Sequence, residues 1–219
     1  MINLKYPILE PGLYLISVPI GCLSDLTFRA LNVLKITKKI LAEDTRNAKT
    51  LLSALEIDIS QKKITSYHEH SPKLERKKIL QLIKNGESVS LICDAGTPLI
   101  SDPGYKLVRE IINSGFKVFS VPGVSSPIAA LSVSGLPTDT FSFIGFLPVS
   151  KNKKLEIMEK YKELQSSLII FESGKRIYKT LKLINEVYDT MTEICICREL
   201  TKKYEEIVRF KVEDFEVAM

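Results

Sequence analysis

The sequence predicts an α/β protein built as two lobes. Three observations carry that prediction. Short apolar runs recur along the chain, stretches with helical apolar spacing follow most of them, and prolines and glycines punctuate the junctions. The 219 residues are 45% hydrophobic, enough to bury a real core, so a disordered chain or a disulfide-stapled mini-protein is excluded.

Leu13-Tyr14-Leu15-Ile16-Ser17-Val18 reads as a buried first strand that stops at Pro19 and Gly21. Ser24 and Asp25 are placed to cap a helix with Phe28, Leu31 and Leu34 on its inner face. Ile40-Leu41-Ala42 is the second strand, followed by a helix carrying Leu51, Leu52 and Leu55. Residues 64–67 form the third strand, and Ser71-Pro72 opens a helix with Ile79, Leu80, Leu82 and Ile83 that ends at Gly86. Residues 89–92 are the fourth strand. A helix over 105–114, closed by Gly115, leads to the fifth strand at 118–121. Another helix starts near Ser125.

The turn-rich Gly135-Leu136-Pro137-Thr138-Asp139 marks the boundary, giving lobes 1–136 and 137–219. The second lobe reads as a strand at 141–144, the solvated run Lys151-Asn152-Lys153-Lys154 and a helix over 155–164. A strand at 168–171, a helix over 177–187 and a strand at 194–197 complete it. Alternation of this kind predicts largely parallel sheets.

Thirty-one Lys and Arg against 26 Asp and Glu give a formal charge of +5, which suits an anionic partner without requiring one. No apolar stretch is long enough to span a bilayer and the chain opens with no signal-peptide pattern, so a cytoplasmic protein without membrane attachment is expected. Cys195 and Cys197 share a strand face, but no cysteine spacing indicates zinc, and all four are read as reduced structural thiols.

In open α/β sheets ligands bind beyond the carboxyl ends of strands. Three such loops stand out: Pro19-Ile20-Gly21-Cys22, the twelve-residue stretch 93–104, and Pro122-Gly123-Val124-Ser125-Ser126. The second carries two glycines, two prolines and two aspartates, more than a simple strand-to-helix turn needs. Neither GxGxxG after a strand nor GxxxxGK[ST] occurs, so both common phosphate-cradling loops are missing. Ala42-Glu43-Asp44-Thr45-Arg46 and Ser66-Tyr67-His68-Glu69-His70 form a polar cluster after the second and third strands. His68 and His70 would share a face if extended, yet no third ligand follows at metal-site spacing, and no metal is expected. Arg46, Lys49, His70, Arg76, Lys77 and Lys78 would form a basic rim for a phosphate backbone.

Taken in order, these segments resemble one family. Leu15 to Gly21, Ala42 to Arg46, Ser66 to His70, Asp94-Ala95-Gly96-Thr97-Pro98, Ser101-Asp102-Pro103-Gly104, Pro122-Gly123, Ser134 to Asp139, Gly145-Phe146-Leu147-Pro148 and Arg198-Glu199-Leu200-Thr201-Lys202 are similar to the ribosomal RNA small-subunit methyltransferase I family of the tetrapyrrole methylase superfamily. Departures include Cys22 where that family has Asn, and Val124 where it has Pro. The family pattern also continues past Phe215 into a further apolar strand whereas this sequence stops at Met219, so either the natural protein is short or the second lobe is truncated here.

The resemblance implies S-adenosylmethionine-dependent methylation of a cytidine ribose 2′-hydroxyl in 16S ribosomal RNA of the small subunit. It further implies a homodimer and two α/β lobes with the cofactor cleft between them. Carried onto this chain, cofactor contacts fall on Pro19, Ile20, Gly96, Thr97, Leu99, Ile100, Ser125, Ser126, Phe146, Arg198 and Glu199. The proton acceptor stays open among Asp44, His68, Glu69, Asp94 and Glu172, while Arg46 and the basic rim would position phosphates and either Tyr67 or Phe146 would stack a base. Two other readings fit parts of the sequence. One is a methyltransferase acting on a tetrapyrrole or other small acceptor, the other a non-catalytic RNA-binding ribosome-assembly protein.

Overall fold

The computed structural model describes residues 8–69 and 71–218. Their contacts divide them into two compact units that part between Ser125 and Ser126. The first contains β1 (Gly12–Ile16), α1 (Phe28–Ile36), β2 (Lys39–Ala42), α2 (Thr45–Ala54), β3 (Lys63–Ser66), α3 (Lys73–Lys84), β4 (Ser88–Ile92), α4 (Tyr105–Asn113) and β5 (Val118–Val121). All five strands are parallel, in the order β3-β2-β4-β1-β5, with Gly12 opposite Ser88 and Leu13 opposite Val118. The expected α/β class is borne out.

A parallel strand covered on both faces must be apolar on both, which is why these strands read as runs rather than as alternations. Tyr14 and Ile16 of β1 pack with Ala30, Val33 and Leu34 of α1 and Leu52 of α2 on one face. Leu13 packs with Ile79 and Ile83 of α3 and Leu107 and Ile111 of α4 on the other. Adjacent strands β1 and β4 therefore send the chain to opposite faces. Their carboxyl ends flank a switch point, where such sheets open a crevice.

Two expectations at the first helix are corrected. Residues Leu23–Asp25 form a 3-10 turn, and the cap of α1 is Thr27, whose hydroxyl oxygen accepts from Ala30 N at 3.1 Å. Phe28 is 81% exposed, because the shifted start turns Ala30, Val33 and Leu34 inward instead.

The second unit holds α5 (Ser126–Ser134), β6 (Phe141–Phe146), α6 (Lys151–Lys162), β7 (Ser167–Phe171), α7 (Ile177–Val187), β8 (Glu193–Arg198), β9 (Glu206–Lys211) and a short α8 (Phe215–Ala218). Strands β6 and β7 pair parallel, and β8 and β9 form an antiparallel hairpin. Helix α5 groups with this unit, ahead of the turn-rich break used above as the boundary. The Arg209 side chain of β9 explains why, since it donates to the carbonyls of Ser134, at 2.8 Å, and of Val133 at the end of α5. The lysine run 151–154, expected to be solvated, is the first turn of α6, and Lys154 is buried.

Candidate active site

The loop after β1 and the loop after β4 are joined by a two-way backbone bridge. Val18 N donates to Gly96 O at 2.8 Å and Gly96 N to Val18 O at 3.0 Å. Gly96 adopts φ +81°, in the left-handed region that a side chain disfavours. Two non-glycine residues of the same loop, Leu99 (φ +72°) and Ser101 (φ +63°), are held in that region as well. Such conformations are costly and cluster where a ligand is gripped. Gly104 closes the loop because a Cβ there would lie 2.9 Å from side-chain carbons of both Leu91 and Leu99.

Hydroxyls tie in the third loop. The Thr97 hydroxyl donates to Val124 O at 2.8 Å and lies 2.9 Å from the Ser17 hydroxyl. A Cβ built on Gly123 would fall 2.9 Å from Ser17 Cβ, so glycine permits this close approach. A Cβ on Gly96 would meet Ile20 Cγ2 at 3.5 Å and Val124 O at 3.8 Å, ordinary contacts. The fold thus gathers Ile20, Gly96 and Thr97 from the predicted cofactor set and adds Val124, which was not in it. Pro19 and Ser125 belong to the same loops. Leu99 packs against the core and is partly buried, whereas Ile100 is exposed.

Carboxyl groups crowd the strand ends nearby. Asp94 accepts from Asn47 Nδ2 at 2.8 Å and from Asp44 N at 3.3 Å. Asp44 caps α2 and binds the Arg46 guanidinium at 2.6 Å; hydrogen bonds from Arg46 pull its pKa down to about 2. It is therefore a poor proton acceptor. Burial pushes the Glu43 carboxyl up, and the negative charges of Asp102 and Asp94 push it further. Burial also raises Asp102, against a hydrogen bond from the Cys93 thiol and with Asp94 adding to the rise. Glu43 and Asp102 were not among the candidate bases. Sequence gave one signal, since Glu43 directly follows the buried strand β2. Of the other candidates in this unit, His68 is exposed with Nε2 2.6 Å from the Ser66 hydroxyl, and Glu69 pairs with Lys106 at 2.8 Å.

Two predicted RNA contacts are corrected. Tyr67 is only 2% exposed, packed with Leu41, Ile79 and Ile83, so its ring cannot stack on a base. Arg76 is spent on Glu110 at 2.9 Å and on Ser71 O at 3.1 Å, which locks α3 against α4. Arg46 is 88% exposed although paired, and Lys49, Lys77 and Lys78 are exposed. His70 lies outside the described residues.

In the second unit, Glu172 is 4% exposed and accepts from Thr180 Oγ1 (2.7 Å), Arg176 Nε (2.6 Å), Ser173 N (2.8 Å) and Lys154 Nζ (3.3 Å). Burial pushes its pKa up, but these hydrogen bonds outweigh burial and hold it below the usual carboxylate value. With its oxygens so engaged, Glu172 fixes α6 and α7 to the end of β7. Phe146 is exposed with its ring 5.3 Å from that of Phe171. Arg198 pairs with Glu206 at 3.2 Å, and Glu199 (φ +52°) with Lys202 at 3.2 Å. Ser126 begins α5.

A parallel sheet with a tied, strained loop cluster at its carboxyl edge, followed by a second α/β unit, defines a ligand-binding α/β enzyme class. The chain belongs to the tetrapyrrole (corrin/porphyrin) methylases, whose family model matches residues 12–216. It is 49% identical over 199 residues to the ribosomal RNA small subunit methyltransferase I of Rickettsia prowazekii (strain Madrid E), covering 91% of this chain and 70% of that protein. The protein of the same name from Halalkalibacterium halodurans is 43% identical over 202 residues, covering 92% and 68%. Among solved structures, uroporphyrin-III-C-methyltransferase from Thermus thermophilus superposes with a TM-score of 0.64 at 18% identity, covering 95% of this chain and 88% of that one, which shows the shared fold. The resemblance read from the sequence is borne out.

Proposed function

We propose that this chain is an S-adenosylmethionine-dependent methyltransferase that modifies the 2′-hydroxyl of a cytidine in ribosomal RNA of the small subunit. The observation that carries the reading is the 49% identity over nine-tenths of the chain to a protein named for that subunit's RNA. The site supports it. Gly96, its N–H and C=O paired with Val18, packs without a side chain against Ile20 and Val124, so the loops after β1, β4 and β5 are drawn together and offer an adenosyl ligand a preformed wall. The carboxyl groups of Glu43, Asp94 and Asp102 at the same edge oppose a polyphosphate nucleotide and suit a cationic sulfonium. The residues present therefore fit this cofactor.

Bound there, S-adenosylmethionine would supply an activated methyl group. The chain's part is alignment of the acceptor oxygen and removal of its proton. Glu43, whose proton affinity is raised by burial, is better matched to that removal than Asp44. Exposed Arg46, Lys49, Lys77 and Lys78 supply cations for flanking phosphates. Among the described residues no helix is long and apolar enough to cross a membrane. The proposal places the enzyme in the cytoplasm as a homodimer, as the family resemblance implies.

The test is transfer of labelled methyl to small subunits isolated from cells lacking the activity, with the label mapped by resistance of the ribose-methylated linkage to alkaline hydrolysis. Label at a cytidine ribose is expected. Label on a base, or on a porphyrinogen offered in parallel and not on RNA, would refute the assignment.

A further inference from the structure

Asp25 ends the 3-10 turn Leu23–Asp25 between β1 and α1, with its backbone N–H donating to Cys22 O at 3.1 Å. Its Oδ2 is shut off from solvent, and among the described residues it is the one buried side-chain nitrogen or oxygen without a hydrogen-bond partner. Buried polar atoms are almost always paired, so an orphan oxygen on a carboxylate calls for a donor from outside the chain.

The segment that carries it is pinned to the ligand loops on both sides. Upstream, the Ile20 side chain lies 3.5 Å from where a Cβ on Gly96 would stand. Downstream, the Thr27 hydroxyl donates to Pro122 O at 3.5 Å. An ionised carboxylate only accepts hydrogen bonds, and a buried one is best compensated by a cationic N–H donor. S-adenosylmethionine carries one such donor, the α-ammonium of its amino-acid arm, whereas its adenosine half offers neutral donors only.

We infer that Asp25 anchors the α-ammonium of the cofactor's amino-acid arm, an assignment that rests on the methyltransferase reading above. The arm is thereby fixed by a charge pair at the end of β1, and the backbone cradle at Gly96 is left for the nucleoside.

Two probes separate the halves of the ligand. S-adenosylhomocysteine has the amino-acid arm, and 5′-methylthioadenosine has the same nucleoside thioether without it. Calorimetry on the full chain should show Asp25→Asn and Asp25→Ala weakening S-adenosylhomocysteine roughly 10- to 100-fold, the loss typical of a charged hydrogen bond, while 5′-methylthioadenosine binds as to the unaltered protein. Retained binding of the second probe also reports that the variants fold. Equal loss of both probes, or loss of neither, overturns the assignment of Asp25 and leaves the methyltransferase reading standing. An unaltered protein that binds neither probe overturns that reading as well.

Discussion

Gly96 and Gly115 form a matched pair for testing the cradle. Both hold left-handed backbone, φ +81° and φ +80°, but a Cβ on Gly96 would contact Ile20 and Val124 while one on Gly115 would have nothing within 4 Å. Alanine at either position incurs the same stereochemical cost of about 1–2 kcal/mol. At about 2–4 °C per kcal/mol for a chain of this size, each variant should unfold about 2–8 °C lower in a calorimetric scan. Only Gly96→Ala places a methyl group where the ligand would approach the backbone, and it should bind S-adenosylmethionine about tenfold more weakly, equivalent to about 1.4 kcal/mol. Gly115→Ala should leave binding intact despite its equal loss of stability. The reasoning fails if titration shows both variants with the same affinity, since any loss would then come from destabilisation alone.

Glu172→Gln should destabilise the second unit by about 3–5 kcal/mol, because Lys154 stays buried without its counter-charge; a urea midpoint within error of the unaltered protein would contradict this. Glu43 and Asp102 have raised pKa values, so their contribution to stability is present in acid and is lost as pH rises through those values. Glu43→Gln should accordingly raise the melting temperature near neutral pH, with little change in mild acid, and slow methyl transfer; equal shifts at both pH values would count against it. Replacing Lys77 and Lys78 together by alanine should lower the salt dependence of RNA binding by about two in log–log slope while cofactor affinity is unchanged. An unaltered slope removes α3 from the RNA path.

Much of the first unit was legible because its parallel strands are apolar on both faces and α3 and α4 stop just before Gly86 and Gly115. Helix α7 was placed end to end for a similar reason, an apolar face bounded by a polar turn. What failed was information that needs a third dimension. Phe28 looked like the inner face of α1 until the cap fell on Thr27, three residues past Ser24. Tyr67 looked like a loop aromatic beside two histidines, but its backbone N–H pairs with Ala42 O and carries the ring into the core. Strand β9 went unread because charges at Glu206, Arg209 and Lys211 interrupt its apolar pattern, as is usual where one face meets solvent. In the site, glycines and prolines marked the correct loops, and Cys195 and Cys197 do share a face, with sulfurs 3.7 Å apart. Glu43 and Asp102 were missed because a carboxyl's proton affinity depends on neighbours from another strand.

The strand order of the first sheet has a consequence for biosynthesis. Strand β1 is made first, yet both of its neighbours, β4 and β5, are encoded far downstream. The ribosome must add about 70 further residues before β4 begins to appear, some 4 to 14 s at ordinary elongation speeds. During that interval β2 and β3, joined by a single helix, can already pair with each other. The Gly12–Ile16 segment, apolar on both sides, has no template of its own. Until then it is an apolar segment that a chaperone would have reason to cover, and closure of this sheet waits on the insertion of the first-made of its five strands.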